Sequence, residues 1–150
     1  ISDKVIVMNN AVIAQEGSPK DLYNFPKNKF VANFIGDANV VKAEIINKKS
    51  DIYELKLGEM SVNIESERDL NGSVSVALRP EKINISKEKN SNSILAKVNN
   101  ASFVGSNYQY IFNSTLGKLY VVSGDTNNIF KVNEEVCLTI DAEEIKILED

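Results

Sequence analysis

Residues 74–85 read Val-Ser-Val-Ala-Leu-Arg-Pro-Glu-Lys-Ile-Asn-Ile, and an altered copy, Val-Cys-Leu-Thr-Ile-Asp-Ala-Glu-Glu-Ile-Lys-Ile, occupies residues 136–147. Both copies carry apolar residues at matching positions, keep one glutamate in place and finish on Ile-x-Ile. Such self-similarity predicts that one structural unit occurs twice in the chain. Because proline has no N–H to donate to a sheet ladder, Pro80 predicts a bend between two strands.

The chain from residue 39 onward alternates apolar and polar side chains, as strands do. Strands are predicted at residues 41–46, 52–57, 60–64, 74–78 and 94–98, and a polar loop at residues 87–93 separates two halves. The two repeat units span residues 40–86 and 94–148 approximately, and the second unit has insertions around residues 102–107. We therefore predict a mainly β fold: two small barrels, or one composite barrel, of the oligonucleotide/oligosaccharide-binding (OB) kind.

A β-hairpin and two short helices are predicted before the repeat. Two apolar runs flank Asn9-Asn10, a sequence that suits a tight turn. Ser18 precedes Pro19 as an N-cap, Pro26 ends that helix, and a second helix runs from Asn28 to Gly36. We expect the aromatic rings of these helices to pack on a core, with a partner-binding groove as the alternative; they are Tyr23, Phe25, Phe30 and Phe34.

Composition argues against several functions. The 150 residues carry 17 basic and 21 acidic side chains, a net charge of −4 that disfavours nucleic acid as a partner. There is no histidine, and the chain shows no phosphate-binding glycine loop and no paired cysteine motif. The one cysteine, Cys137, lies in an alternating apolar run typical of a buried strand. We expect no catalytic, metal or cofactor site, and no direct membrane insertion.

Arg79-Pro80-Glu81 is the one polar cluster between two apolar runs. The arginine could bind an anion or a partner carboxylate. Alternatively, it pairs with a local carboxylate or caps backbone carbonyls at the bend, which we favour because the second copy has Asp141 in its place. Glu143 retains the glutamate of Glu81, so Arg79, Pro80, Glu81 and Glu143 are interpreted as structural or interface residues.

The N-terminal stretch, from Ser2 to Asn39, closely resembles the end of the ATPase domain in binding-protein-dependent ABC importers of the maltose, polyamine, sulfate and ferric-iron type. The matching residues are Ser2 to Asn9, Ile13, Gln15, Gly17, Pro19, Leu22-Tyr23, Pro26, Phe30-Val31-Ala32, Phe34-Ile35-Gly36 and Asn39. In that family a transport-associated OB domain follows, and its Arg-Pro-Glu hallmark matches residues 79–81 here. One departure is Ala11, which stands where the family usually has glycine in the hairpin turn.

The resemblance implies that residues 1–36 are the remnant and linker of an ATPase domain, and that residues 37–150 form a dimerising and regulatory OB domain. ATP and Mg²⁺ would bind only in the parent subunit, upstream of this chain, so the fragment itself would not be an enzyme. Implied partners are a second copy of the chain and permease subunits at the inner face of the cell membrane. An alternative is a stand-alone OB module that senses an oxyanion or solute; the sequence does not identify the transported solute.

Overall fold

The computed structural model describes residues 4–149. The chain begins with the hairpin β1 (Val5–Asn9) and β2 (Val12–Gly17), followed by α1 (Pro19–Asn24) and α2 (Lys29–Ile35). Ten strands follow: β3 (Asn39–Lys49), β4 (Ile52–Leu57), β5 (Met60–Glu65), β6 (Ser73–Leu78), β7 (Asn84–Ser86), β8 (Ile94–Phe103), β9 (Tyr108–Ser114), β10 (Gly117–Ser123), β11 (Glu135–Thr139) and β12 (Ile145–Ile147). The predicted mainly β fold with a leading hairpin and two short helices is confirmed.

The strands form two five-stranded antiparallel sheets, each of which borrows one strand from the other half of the chain. The first sheet has the order β12-β6-β3-β4-β5 and the second has the order β10-β9-β8-β11-β7. Ile147 lies opposite Val76, while Ile85 lies opposite Leu138. These two pairs are equivalent under the sequence repeat, so the two halves exchange their last strands in the same register.

Further details of the two sheets are repeated as well. The ladder of β3 with β4 slips between Ile45 and Asn47, and that of β8 with β9 slips between Val98 and Asn100, which are equivalent places in the repeat. A bulge increases the local twist and bends the strand, which helps a sheet curl into a barrel wall. One continuous hydrophobic core contains buried residues from both sheets. The two sheets therefore form one composite barrel, which is the second of the two arrangements predicted from the repeat.

The core explains the alternation in the sequence. Tyr110 and Phe112 on β9 are fully buried, with ring centroids 5.5 Å apart, and Tyr108 beside them is partly buried. Cys137 is buried on β11 with a free thiol, as predicted for a strand residue. No helix within residues 4–149 is long and apolar enough to cross a bilayer.

The local signals at the N-terminal segment act as predicted. The Ser18 hydroxyl accepts a hydrogen bond from the Asp21 N–H at 3.1 Å, and Pro19 opens α1. The Asn28 side chain likewise accepts from the Val31 N–H at 3.0 Å and caps α2. In the β1–β2 turn, Asn10 and Ala11 both have positive φ angles, 53° and 64°. Alanine therefore adopts the left-handed conformation here, at a cost of about 1 kcal/mol relative to glycine.

The aromatic residues of the two helices do not form a core, which corrects the expectation above. Phe25 is 66% exposed and Phe34 is 61% exposed, while Phe30 stacks loosely on Phe34 at the surface. Smaller apolar side chains fill the contacts instead, because short helices bring only one narrow face to the layer below them. Leu22 and Val31 of the helices pack on Val7 of the hairpin, and Ala32 packs on Ala77 and Leu148 of the barrel.

Candidate functional site

Arg79 is the most heavily bonded polar side chain at the boundary between the helices and the barrel. It follows β6 directly and precedes a 3₁₀ turn at Pro80–Lys82, which we call the first corner. Pro80 suits this position because the first residue of a helical turn needs no N–H partner. The side chain of Arg79 is only 4% exposed. A buried guanidinium must find acceptors, and it finds them in another part of the chain.

The guanidinium of Arg79 donates four hydrogen bonds to main-chain carbonyls of residues 23–37. Its Nη1 lies 3.0 Å from the Ala32 oxygen, 3.0 Å from the Gly36 oxygen and 3.1 Å from the Asp37 oxygen. Its Nη2 lies 3.2 Å from the Tyr23 oxygen. The free carbonyls at the end of α2 carry partial negative charge, which favours a cation at this place.

The Tyr23 ring completes the site, with the guanidinium carbon 4.2 Å from its centroid. Burial lowers the pKa of Arg79, and the nearby Asp37 carboxylate opposes that shift. Arginine stays charged in proteins despite such shifts. Arg79 thus joins both helices to the barrel as a cationic cap. We call this set of contacts the Arg79 latch.

The other predicted site residues lie apart from the latch. Glu81 and Glu143 are exposed on the first corner and on its copy, a 3₁₀ turn at Ala142–Glu144 that we call the second corner. Neither carboxylate makes a hydrogen bond or ion pair within residues 4–149, and their interface role stays a prediction. Glu144, next to Glu143, lies 4.0 Å from the Nζ of Lys82, which joins the two corners loosely.

Two asparagines form equivalent contacts between the halves that the sequence reading missed. The Asn39 side chain accepts from the Tyr120 N–H at 2.8 Å and donates to the Tyr120 oxygen at 2.8 Å. Asn92 binds the N–H and oxygen of Ser61 in the same way, at 2.7 and 2.9 Å. Each asparagine thus pairs with an edge strand of the opposite sheet. The available signal was an asparagine at equivalent positions of the two units, Asn39 two residues before Val41 and Asn92 two residues before Ile94.

Glu59 is a further contact between the halves that sequence reasoning missed. Its carboxylate accepts from the Leu95 N–H at 2.9 Å and from the Thr115 hydroxyl at 3.1 Å. Burial raises the pKa of Glu59, but these hydrogen bonds outweigh it and the net pKa is lowered. The equivalent residue of the second unit is Lys118.

Each curled sheet leaves a cleft between its two edge strands. The β7–β10 cleft has a volume of about 630 Å³, and the β12–β5 cleft has a volume of about 840 Å³. Their walls are equivalent under the repeat, since residues 83–87 and 122–125 of the first correspond to residues 145–149 and 63–66 of the second. Only the β12–β5 cleft is also lined by the N-terminal segment, through Gln15 and residues 25–27.

A metal site would need several acidic or cysteine side chains placed close together. Within residues 4–149 there is no group of three or more Asp, Glu or Cys side chains placed to hold a metal ion. Asp125, in the β7–β10 cleft, has a lowered pKa because the side chain and N–H of Asn128 and the N–H of Asn127 donate to it. That carboxylate therefore organises its own loop.

Known proteins with similar sequences are ATP-binding subunits of importers. Residues 76–148 match the TOBE domain family. An Fe(3+) ions import ATP-binding protein of Agrobacterium fabrum is 30% identical over 138 residues, which cover 92% of this chain and 39% of that protein. A spermidine/putrescine import ATP-binding protein of Acetivibrio thermocellus is 34% identical over 148 residues, 99% of this chain and 40% of that protein. The chain thus spans about two fifths of the length of these relatives.

Among solved structures, the cytoplasmic molybdate-binding protein ModG has a similar fold, with a TM-score of 0.61. The alignment covers 75% of this chain and 96% of ModG at 11% sequence identity, so the likeness concerns the fold alone. The family match covers the exchanged strands and both corners, and the importer relatives extend it over the hairpin and helices. The chain therefore contains a TOBE domain and belongs with the C-terminal parts of ABC importer ATP-binding subunits.

Proposed function

We propose that residues 37–150 are a dimerising and regulatory domain of an ABC importer ATP-binding subunit, and that ATP and Mg²⁺ bind in a part of that protein upstream of this chain. The observation that carries the proposal is the Arg79 latch. Four hydrogen bonds that the Arg79 side chain donates to main-chain carbonyls, together with its stacking on Tyr23, join the barrel rigidly to the two helices. A rigid joint allows the position of a regulatory domain to be transmitted to the part that it adjoins.

The exposed apolar residues of the N-terminal hairpin support an additional contact with another part of the protein. Met8 is 51% exposed, Val12 is 67% exposed and Ile13 is 53% exposed, although they lie together near the hairpin turn. With the exposed Phe30 and Phe34, they give the N-terminal segment an apolar outer surface. Such a surface is typical of a contact with another part of a protein. In this proposal the ATPase part of the same subunit covers it.

The proposed partners are a second copy of the chain, through the OB domain, and the permease subunits of an importer at the inner face of the cell membrane. The tip of the β8–β9 hairpin is a candidate surface for the copy, since Phe103 is 57% exposed and Val104 is 47% exposed. The Phe103 ring packs at a tilt against the Tyr108 ring, with centroids 5.2 Å apart, so it is held in place while still open to a partner.

The test joins two measurements on the purified chain. Sedimentation velocity should give a dimer mass that falls to that of a monomer in Phe103→Asp, with Ile52→Asp on the first half as the matched control. ATP hydrolysis and ATP binding should be absent. A monomer at every concentration would refute the dimer, and ATP turnover above background would refute the assignment as a non-catalytic domain.

A second candidate is a stand-alone module that senses an oxyanion or solute, which the fold likeness to a molybdate-binding protein favours. The charges argue against an anion in the β7–β10 cleft, because Glu81, Glu88 and Asp125 line it. Calorimetric titration with molybdate, sulfate, phosphate, polyamines and maltodextrins separates the two functions. Saturable heat with any of these would favour sensing.

A further inference from the structure

We infer that the β7–β10 cleft binds an extended peptide segment of a partner protein, with an aromatic residue and a proline followed by a basic residue. The two clefts are equivalent under the repeat. The β12–β5 cleft is lined along one side by the chain's own residues 25–27, Phe-Pro-Lys, whereas the β7–β10 cleft has no such lining.

The contacts of residues 25–27 show how such a segment is held. The Lys27 oxygen accepts a hydrogen bond at 2.9 Å from the N–H of Glu149, two residues after β12. The Lys27 Nζ lies 3.8 Å from the Glu149 carboxylate, and the Phe25 ring lies 5.1 Å from the Lys146 Nζ. The segment thus adds one main-chain bond beyond the end of an edge strand, supported by one ion pair. On its other side, the Gln15 side chain donates to the Phe25 oxygen at 3.0 Å and accepts from the Lys27 N–H at 2.8 Å. This is a short form of strand addition at a sheet edge.

The β7–β10 cleft offers the same edge without an occupant. Residue 149 corresponds to Lys87 in the repeat, and the Lys87 N–H makes no main-chain hydrogen bond within residues 4–149. β7 lies at the edge of its sheet, and the other wall of the cleft is the opposite edge strand, β10. An extended peptide carbonyl therefore has a free donor at the place where Lys27 finds one in the other half.

Charge selects the basic residue of the peptide. Glu81 and Glu88 are exposed at the β7–β10 cleft, and Asp125 adds a third carboxylate. The one cation among the lining residues, Lys87, already pairs with Glu134 at 3.3 Å. The β12–β5 cleft has balanced charge, since three basic side chains, Lys27, Arg68 and Lys146, line it together with three acidic ones, Glu65, Glu143 and Glu149. The vacant cleft thus has uncompensated negative charge that a basic residue of the peptide would neutralise.

The probe is a capped synthetic peptide of residues 21–30, Asp-Leu-Tyr-Asn-Phe-Pro-Lys-Asn-Lys-Phe, titrated into the isotopically labelled full chain. We expect saturable amide shifts at residues 83–88 and 122–125, largest at Lys87, with a Kd of about 1 mM or tighter. A scrambled peptide that separates Phe, Pro and Lys should bind at least about fivefold more weakly.

Two matched variants make the test specific. Glu81→Lys should weaken binding about fivefold or more, while Glu143→Lys in the equivalent cleft should leave it unchanged. Both residues are exposed and unbonded, so both variants should fold. Shifts confined to the β12–β5 cleft, equal affinity for the scrambled peptide, or no effect of Glu81→Lys would overturn the inference. It would also be overturned if these amides shifted with protein concentration alone, because the occupant would then be a second copy.

Discussion

The first and second corners have similar backbone conformations, but only the first binds the helical segment. Both are 3₁₀ turns after a buried strand, and both lead to a strand that crosses into the other sheet. Arg79 begins the first and binds four carbonyls of the helical segment, whereas Asp141 begins the second with an exposed side chain and no side-chain bond within residues 4–149. The repeated sequence thus forms the barrel, and the arginine that only the first copy carries attaches the helices to it.

The largest expected effect comes from removing the latch. Arg79→Met keeps most of the apolar stem but leaves buried carbonyls without donors, and should lower the free energy of unfolding by about 3 kcal/mol. Urea denaturation measures it. Asp141→Met is the matched control and should change stability by less than about 0.5 kcal/mol. Equal losses in the two variants would mean that the corners do not differ as described.

The two asparagine contacts between the halves should contribute unequally to stability. Asn39 is 8% exposed and also donates to the Leu78 oxygen at 3.2 Å, whereas Asn92 is exposed. Asn39→Ala should therefore cost about 2 kcal/mol and Asn92→Ala about 1 kcal/mol or less, because buried acceptors left unpaired are the expensive ones. Thermal unfolding of both variants tests the order, and the reverse order would contradict it.

The hairpin turns of the halves should also differ. A Cβ on Gly58 would lie 2.5 Å from the Thr115 Oγ1 and φ there is 59°, whereas one on Gly117, with φ 96°, would meet nothing within 4 Å. Gly58→Ala should destabilise by about 2 kcal/mol and Gly117→Ala by about 1 kcal/mol, the cost of positive φ alone. Equal midpoints in chemical denaturation would show that the hairpin of the first half has room for the methyl group.

The smallest effect concerns pH. The lowered pKa of Glu59 means that its contribution to stability is fully present above the ordinary pKa of 4.5 and is lost as the pH falls through the lower folded value. Glu59→Gln should therefore flatten the stability curve at acidic pH, while Lys118→Gln at the equivalent place should not. Measuring the unfolding free energies of both variants between about pH 3 and pH 7 tests this prediction. An unchanged slope for Glu59→Gln would contradict the contact.

Much of this fold was open to prediction from the sequence, since the repeat, the bend at Pro80 and both helix caps are local signals. The exchange of β7 and β12 was not, because a two-residue periodicity gives no information on which sheet receives a strand. The partners of Arg79 lie 42 to 56 residues away along the chain, beyond any spacing rule. Phe25 and Phe34 were misjudged because apolar composition does not tell a core face from an uncovered one.

Arg79 holds the two helices on the barrel. Native-state hydrogen exchange of Arg79→Met, resolved by residue, measures this attachment at each amide. We expect the amides of α1 and α2 to lose protection by about a hundredfold, whereas β8, β9 and β11 of the second half keep theirs. Unchanged protection of the helices, or an equal loss across all strands, would contradict it.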